Sequence, residues 1–294
     1  ASLRARAGEH LARTLQIRSA QVTIGAVTGA PVCFSDIVVS AAHLGKGDNS
    51  ASKAVFADAR VHVPTTVPGR FRTPAYRVAD YRLADGARTF LMSGARRDYG
   101  RDFVVFRLES PLPEDVVPLA LLPLMSARSV EQVTRCPSPI ALACYSNDVG
   151  WWKNHFYSAA SPPVVRGEIR FGDLRHRGTT PMLTRNGHFA PQSRFRGTRI
   201  MGFTNDLESW ASGSALACEE ASGISTFRGL TVAGWPSSRI MAERSRPGTA
   251  YHPRHRGNLA NLNLAPIYRA IAALKNLDAD ALHLHCPAAP ANRG

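Results

Sequence analysis

Three residues of this chain have the chemistry of a serine nucleophile and of the groups that activate it. His43 follows an apolar segment that ends in small residues, and Asp102 stands directly before the apolar run 103–108. Ser212 is followed by a glycine and further small residues. A serine hydroxyl is a weak nucleophile that needs a neighbouring base, and a histidine base needs a third group to fix its tautomer. The three residues together therefore predict a Ser-His-Asp site, although each alone is more often structural.

Ser214 is the alternative nucleophile, because it lies in the same segment of small residues. Ala215 follows Ser214, whereas Gly213 follows Ser212 and permits a tighter turn. The sequence thus favours Ser212. His43 lies in the first half of the chain and Ser212 in the second, so we expect the site between two structural units.

Short segments with a period of two predict strands around these residues. They are largely apolar and are separated by clusters of Gly, Pro, Asn, Asp and Ser, which is typical of an all-β sandwich or barrel and not of a parallel α/β sheet. The clearest segments are 21–26, 33–40, 54–63, 103–108 and 140–145. A proline-rich stretch at 108–123 predicts a connector between the two halves.

Helical spacing is confined to the two ends of the chain. An amphipathic helix is predicted over the first eighteen residues, where Leu3, Ala7, Leu11 and Leu15 recur at spacing four. A second helix is predicted near the end of the chain, with Asn261 or Asn263 as its cap. Its apolar face is formed by Leu264, Ile267, Ile271 and Leu274.

The charge of the chain is unusual, since 36 Lys and Arg residues against 22 Asp and Glu give a net charge of +14. Nearly all of the basic residues are arginine, which fits an arginine-rich nucleic-acid binder. However, the arginines are scattered and form no block of like charges, which favours a solvated surface and weighs against nucleic acid. Anionic partners remain a prediction of the overall field. The most apolar run, 116–125, is far shorter than a membrane span, so we expect none.

The five cysteines do not form the pattern of a disulfide scaffold or a zinc ribbon, and their odd number leaves at least one thiol outside any disulfide. His283, His285 and Cys286 offer three metal ligands but lack a fourth nearby. We therefore expect no metal and no cofactor.

The motifs around the three catalytic candidates resemble those of the chymotrypsin/trypsin-like serine protease superfamily. Val39-Ser40-Ala41-Ala42-His43 is similar to the family's Thr-Ala-Ala-His block, and Asp102-Phe103-Val104-Val105-Phe106 to its Asp-Ile-Ala-Leu-Leu block. Ser212-Gly213-Ser214-Ala215-Leu216 is similar to its Ser-Gly-Gly-Pro-Leu block. The order His, Asp, Ser also matches. The serine motif looks most like that of divergent bacterial trypsin-like peptidases.

The resemblance implies an all-β fold of two antiparallel β-barrels, with a short N-terminal helix and a C-terminal helix. Residues 1–18 are expected to be a helical extension, 19–120 the first barrel, 121–278 the second barrel with the C-terminal helix, and 279–294 a flexible tail. The triad would lie in the cleft between the barrels. The family's frequent disulfide implies that Cys218 pairs with Cys136 or Cys144. Cys33 is expected to lack the family's usual partner, because Leu44 follows the histidine.

The implied activity is a serine endopeptidase that hydrolyses polypeptide substrates through an acyl-enzyme. Ser212 would be the nucleophile, with His43 as general base and acid and Asp102 orienting it. The backbone N–H groups of Ser212 and Trp210 would form the oxyanion hole. In addition, Gly234 and Trp235 are similar to the strand that pairs with substrate.

Substrate preference depends on Asp206, which stands six residues before the serine. In trypsin-like members an aspartate at this spacing selects basic side chains. The dipeptide Asn205-Asp206 is also typical of a turn, and the sequence slightly favours the turn.

Two departures from the family pattern support an alternative function. Trp210 stands where the family usually has glycine, and Ala211 replaces the aspartate that precedes the serine. The alternative is therefore a catalytically silent, protease-like binding module. The family resemblance implies a secreted or periplasmic protein, although the first residues lack the layout of a signal peptide.

Overall fold

Short antiparallel strands dominate the chain and form two sheets. The computed structural model describes residues 3–19, 26–45, 53–65, 70–85, 99–145, 181–190, 198–203, 211–234 and 258–286. Within these ranges there are thirteen strands and few helices, and most of the helices are short. The predicted all-β class is therefore confirmed at the level of a mostly β architecture.

The first sheet is a closed barrel of six strands in the order β1-β2-β3-β6-β5-β4. Its strands are β1 (Leu15–Ser19), β2 (Ala26–Pro31), β3 (Ile37–Ser40), β4 (Ala59–His62), β5 (Tyr76–Leu83) and β6 (Val104–Leu108). All neighbouring strands of the barrel are antiparallel. Alternate residues such as Ile17, Val61 and Phe106 are buried in its interior, and this burial explains the period of two in the sequence.

The second sheet has seven strands in the order β8-β7-β11-β12-β13-β10-β9. They are β7 (Ile140–Tyr145), β8 (Pro181–Gly187), β9 (Phe189–Ala190), β10 (Ile200–Phe203), β11 (Ala215–Glu219), β12 (Ser225–Gly234) and β13 (Asn258–Asn261). Over the residues described, this sheet is open, so closure into a second barrel stays a prediction. A large core cluster joins this sheet to β3, β6 and the C-terminal helix.

Five helices accompany the sheets in the described ranges: α1 (Leu3–Ala12), α2 (Lys53–Ala57), α3 (Leu124–Ala127), α4 (Val130–Thr134) and α5 (Leu264–Lys275). Single 3₁₀ turns lie at Ala42–Gly45, Tyr99–Arg101 and Leu282–His285. The apolar face predicted for α5 is buried as expected, and the helix ends at Asn276 in the left-handed conformation. Asn263 is at the N-cap position of α5, but its side chain makes no capping hydrogen bond.

The predicted N-terminal helix over residues 1–18 is too long. The helix ends at Ala12, and Leu15–Ser19 is instead the first strand of the barrel. Leu15 fits both periods, since it is four residues after Leu11 and two before Ile17. Pairing of β1 with both β2 and β4 determines the outcome, because it buries Leu15 and Ile17 inside the barrel.

Two disulfides join distant parts of the chain. Cys136 pairs with Cys218, one of the two partners that the resemblance left open, with a Cα–Cα distance of 5.7 Å. Cys33 pairs with Cys286, at a Cα–Cα distance of 4.4 Å. Cys144 is buried and belongs to neither disulfide.

The predicted flexible tail at 279–294 is wrong for its first half. Residues 279–286 are described, the side chain of Leu282 is fully buried, and Cys286 is tied to the first half of the chain. This disulfide and the burial of Leu282 order the segment. Residues 287–294 lie outside the described residues.

None of the helices described in the structure is long and apolar enough to cross a membrane.

Candidate active site

The pairing of β3 with β6 brings His43 and Asp102 together. Ser40 at the end of β3 lies opposite Val104 at the start of β6. His43 is in the 3₁₀ turn directly after β3, and Asp102 is in the segment directly before β6. The two residues therefore lie at the same edge of the barrel, although 59 positions separate them in the chain.

Asp102 accepts two hydrogen bonds from His43. Its Oδ2 lies 2.7 Å from the ring Nδ1, and its Oδ1 accepts the backbone N–H of His43 at 2.9 Å. The Asp102 side chain is 2% exposed, whereas the His43 side chain is 27% exposed. An ionised carboxylate in this position requires Nδ1 to carry the proton, which leaves Nε2 unprotonated and able to accept one.

The segment that carries Asp102 is held by two asparagines that the sequence analysis considered only as helix caps. Asn261 Nδ2 and Asn263 Nδ2 both donate to the carbonyl of Gly100, at 3.2 Å and 3.3 Å. The Asp102 N–H in turn donates to the Tyr99 carbonyl at 3.3 Å. The asparagines come from the end of β13 and the start of α5, so the second half of the chain also positions the carboxylate.

Ser212 is in a tight turn directly before β11. The N–H of Ser214 donates to the carbonyl of Ala211 at 3.0 Å, and the Ser214 hydroxyl donates to the same oxygen at 2.5 Å. Gly213 N–H donates to Thr231 on β12 at 2.7 Å. The Ser214 hydroxyl is thus buried and already bonded within the turn, whereas the Ser212 side chain is partly exposed. These contacts favour Ser212 over Ser214 as the reactive serine.

Gly213 packs against the backbone that leads to His43. It has φ = +84°, and a Cβ built on it would clash with the Thr28 carbonyl, the Ser40 hydroxyl and, at 2.7 Å, the Ala41 nitrogen. Ala41 is only two residues before His43. The turn of Ser212 therefore lies directly beside the end of β3, and glycine is required there for both its conformation and its lack of a side chain.

Thr28 on β2 links this turn to the barrel, and no local sequence signal marks it. Its N–H donates to the Ser212 carbonyl at 2.9 Å, and its carbonyl accepts the Ser40 hydroxyl at 2.7 Å. Its own hydroxyl accepts the backbone N–H of Tyr145 at 3.1 Å. Tyr145 OH then donates to the Thr14 carbonyl at 3.0 Å, and burial raises the pKa of this phenol far above its ordinary value.

The N-terminal helix is anchored to the second sheet by buried polar contacts. His10 Nε2 lies 3.1 Å from Glu219 Oε1 on β11, and both side chains are buried. The Arg13 guanidinium is also buried and contacts Glu9; desolvation lowers its pKa to about 10. The pairing of His10 with Glu219 was not predictable from local sequence because 209 positions separate the two residues, whereas Arg13 and Glu9 are one helical turn apart.

The other predicted site residues are placed as follows. Gly234 ends β12, opposite Asn258 of β13. Trp210, Asp206 and Trp235 lie outside the described residues. For Ser212, the described part of the chain provides no hydrogen-bond partner for the hydroxyl or for the backbone N–H. The structure thus joins His43 to Asp102 directly, and brings the backbone of the Ser212 turn against the residues that precede His43.

The described residues contain no group of three His, Cys, Asp or Glu side chains arranged to hold a metal ion. The three ligands considered in the C-terminal segment are reduced to two histidines, because the Cys286 sulfur is in the disulfide with Cys33.

Comparison with known proteins gives a result at the level of fold. No protein-family model matches the chain, and no curated protein matches it. Among solved structures, that of a Glu endopeptidase in complex with MPD superimposes with a TM-score of 0.56 at 12% sequence identity. The match covers 90% of this chain and 91% of that chain. At this identity the likeness shows a shared protease-like fold and nothing finer.

Proposed function

We propose that this protein is a serine endopeptidase in which Ser212 is the nucleophile, His43 the general base and acid, and Asp102 the group that orients His43. The observation that supports it best is the pair of hydrogen bonds between Asp102 and His43. A carboxylate that receives both the ring and the backbone N–H of one histidine fixes the rotamer and the tautomer of that ring. This arrangement suits a base that must take a proton at Nε2.

In the proposed reaction, Ser212 Oγ attacks the carbonyl carbon of the scissile peptide bond while its proton passes to His43 Nε2. Asp102 stabilises the resulting imidazolium through the Nδ1 hydrogen bond. When the C–N bond breaks, His43 gives the proton to the leaving amine, and an acyl-enzyme remains. A water molecule then attacks the acyl carbon while His43 accepts its proton. The bond between the acyl carbon and Ser212 Oγ breaks, His43 returns the proton to Oγ, and the acid product leaves.

The backbone of the Ser212 turn supports a role in stabilising the oxyanion. Unlike the N–H groups of Gly213 and Ser214, that of Ser212 has no acceptor in the described residues, so it is available to a developing negative charge. We propose the N–H of Trp210 as the second donor. One such donor is worth about 3 to 4 kcal/mol of transition-state stabilisation in comparable enzymes.

The proposed substrate is a polypeptide, in keeping with the protease-like fold. We propose that Gly234 and Trp235 contact the substrate backbone and that Asp206 lies near the specificity pocket. The neighbour in the structure comparison is named as a Glu endopeptidase, whereas Asp206 would favour basic side chains by charge-assisted hydrogen bonds. A cleavage profile on a peptide library decides between acidic and basic preference.

We further propose a secreted or periplasmic location. Two disulfides join segments far apart in the chain, and such bonds persist in oxidising compartments.

The second candidate function is a catalytically silent binding module. It is favoured by one observation, since in the described residues the Ser212 hydroxyl makes no hydrogen bond to His43. The departures at Trp210 and Ala211 point the same way. Catalytic hydrogen bonds are often long in unliganded enzymes and shorten in the complex with substrate, so a peptidase can also lack this hydrogen bond in its unliganded form.

Labelling with a fluorophosphonate probe separates the two functions. The wild-type protein is expected to be labelled, and Ser212→Ala is expected to abolish labelling. Ser214→Ala is the matched control, because it changes a serine two positions away in the same turn, and it should still be labelled. Labelling that persists in Ser212→Ala would refute the assignment of the nucleophile. A folded wild-type protein that is never labelled would support the silent module.

A further inference from the structure

Three arginines occupy directly opposite positions on three neighbouring strands of the first barrel. Arg18 on β1 lies opposite Arg60 on β4, and Arg60 lies opposite Arg77 on β5. Adjacent residues such as Ile17 and Val61 are buried in the barrel, so alternation places the arginines on its outer face. Arg18 and Arg77 are exposed and Arg60 is half-buried. We name these three residues the arginine row.

Like charges at directly opposite positions of a sheet repel each other, and among the described residues no acidic side chain forms an ion pair with the arginine row. In the described part of the structure, none of the three guanidinium groups forms an ion pair. Arg18 Nε donates to Gln16 Oε1 at 2.7 Å, and Arg60 Nη1 donates to the carbonyls of Asp58 and Ala59 at 3.1 Å each. The row is therefore a set of cations whose mutual repulsion an anionic ligand would relieve.

The acidic residue next to Arg77 does not neutralise it. The backbone N–H of Glu109 donates to the carbonyl of Arg77 at 3.0 Å, but the two side chains form no ion pair in the described residues. On the opposite side of the row, His62 is close enough to Arg18 that burial and the arginine charge lower its pKa. Within the part of the chain that the structure describes, the carboxylates beside the row therefore leave its three guanidinium groups without an ion pair.

Four successive contacts link one end of the arginine row to the turn of the proposed nucleophile. The Arg18 guanidinium stacks 5.3 Å above the centre of the Phe71 ring, and that ring lies 5.9 Å from the ring of Tyr145. The Tyr145 N–H donates to Thr28, whose own N–H donates to the Ser212 carbonyl. Arg18 is therefore the member of the row that these contacts connect to the catalytic turn, and Arg60 and Arg77 follow it on the next two strands of the barrel.

We propose that the arginine row is an accessory substrate-binding surface that engages an acidic segment of the polypeptide outside the catalytic cleft. This inference rests on the proposed peptidase function. Guanidinium groups pair with carboxylates through two parallel hydrogen bonds. Neighbouring strands are about 4.8 Å apart, so the row spans about 10 Å, which three or four residues of an extended peptide cover. Continuity with the Ser212 turn favours a polypeptide over a nucleic acid.

Binding is tested first on the Ser212→Ala protein, so that the result does not depend on catalysis. The probe is a fluorescein-labelled peptide of five Glu-Gly repeats, measured by fluorescence anisotropy against the same peptide with Gln in place of Glu. Replacing the whole row by glutamine is expected to weaken binding of the acidic peptide about tenfold, which corresponds to about 1.4 kcal/mol. The glutamine peptide should bind weakly and equally to both proteins.

A matched control removes the same number of positive charges elsewhere. Arg128, Arg135 and Arg269 are exposed residues that lie directly after α3, directly after α4 and within α5, and they are replaced together by glutamine. This variant is expected to keep the affinity for the acidic peptide within about twofold of the parent protein. Equal losses in both triple variants would show that the +14 field attracts the peptide without a specific surface, and would overturn the proposal.

A fallback variant and a nucleic-acid ligand complete the binding test. If the triple variant of the row unfolds at a lower temperature than the control, Arg18→Gln/Arg77→Gln replaces it, because both side chains are exposed. An eight-nucleotide thymidine oligonucleotide that binds the row more tightly than the acidic peptide would also overturn the proposal.

In the active enzyme, the row variant should reduce kcat/KM for a cleaved peptide that carries a Glu-Gly extension and leave the same peptide without the extension unchanged. Loss of fluorophosphonate labelling with intact peptide binding would refute the peptidase alone. Intact labelling without row-dependent binding would refute the accessory surface alone.

Discussion

Asp102→Asn is the change that most directly tests the proposed role of the His43 pair. The carboxylate accepts hydrogen bonds at both oxygens, from the His43 ring at 2.7 Å and from its backbone N–H at 2.9 Å. An amide has only one acceptor atom. If that oxygen faces the backbone N–H, the amide NH₂ faces Nδ1, and the ring must move its proton to Nε2. The base then has no lone pair at the nitrogen that must accept the proton of Ser212.

The opposite orientation of the amide does not rescue the base. It would point the NH₂ group at the backbone N–H, and a buried donor left without an acceptor costs about 1 to 3 kcal/mol. Asp102 is 2% exposed, so water cannot readily satisfy that donor. The ring is therefore expected to adopt the wrong tautomer. In a serine protease with this arrangement, the same change lowers kcat by about 10⁴-fold, which corresponds to about 5.5 kcal/mol in the barrier.

The assay is the rate of fluorophosphonate labelling, and of peptide cleavage once a substrate is known, with thermal unfolding measured in parallel. Asp36→Asn is the matched control, because Asp36 is also a hydrogen-bonded carboxylate, paired with Lys275 Nζ at 2.9 Å and 3.1 Å. The control should keep its labelling rate within about twofold. If Asp102→Asn retains more than about a tenth of the wild-type rate at an unchanged unfolding temperature, the tautomer argument is refuted.

Two further predictions concern the turn of Ser212 and its supports. Gly213→Ala should slow labelling at least tenfold and lower the free energy of unfolding by about 2 to 4 kcal/mol. Gly223→Ala is the control, because Gly223 has nearly the same φ of +82° but no atom near the added Cβ. It should lower the free energy of unfolding by only about 1 kcal/mol. Equal losses of stability in the two variants would contradict the close approach of Gly213 to β3. Tyr145→Phe should alter the dependence of stability on alkaline pH. Burial raises the pKa of Tyr145 above its ordinary 10.0, so above pH 10 the phenol ionises in the unfolded state but not in the folded state. The free energy of unfolding of the wild type should therefore fall by about 1.36 kcal/mol per pH unit relative to that of the variant. Unfolding curves in denaturant from pH 9 to 11 measure this difference, and parallel stability profiles would contradict it.

The β class of the fold was predictable from the sequence because the strands are short, largely apolar runs separated by turn residues. In β4 burial alternates and produces a period of two, whereas β3 and β11 are buried on both faces and are apolar or small throughout most of their length. The apolar face of α5 was predictable because burial of one helix face produces a period of 3.6. The end of α1 was not predictable, because Leu15 continues the helical spacing and also begins the strand β1. Only pairing with β2 and β4, which local sequence does not encode, resolves that ambiguity.

The contact between His43 and Asp102 was predictable, but the groups that support it were not. His43 and Asp102 stand beside two apolar runs, and pairing of those runs suffices to bring them together. No local sequence pattern predicts the role of Thr28, because its contacts reach three different segments of the chain. The same holds for the disulfide between Cys33 and Cys286, whose partners are 253 residues apart.

The small residues beside the catalytic candidates have a common physical explanation. The turn of Ser212 is held against the first barrel mainly by backbone groups: the Thr28 N–H on the Ser212 carbonyl, and the close packing of Gly213 on the Thr28 carbonyl and the Ala41 nitrogen. Backbones can approach this closely only where side chains are short, which accounts for glycine after the serine and alanine before the histidine. Ser40 completes the contact, because its hydroxyl donates to the Thr28 carbonyl that Gly213 faces. The motifs that resemble a protease are therefore also the residues that this contact between the two halves requires. For that reason, a silent module with the same fold would keep the small residues, and only the reactivity of Ser212 distinguishes the two functions.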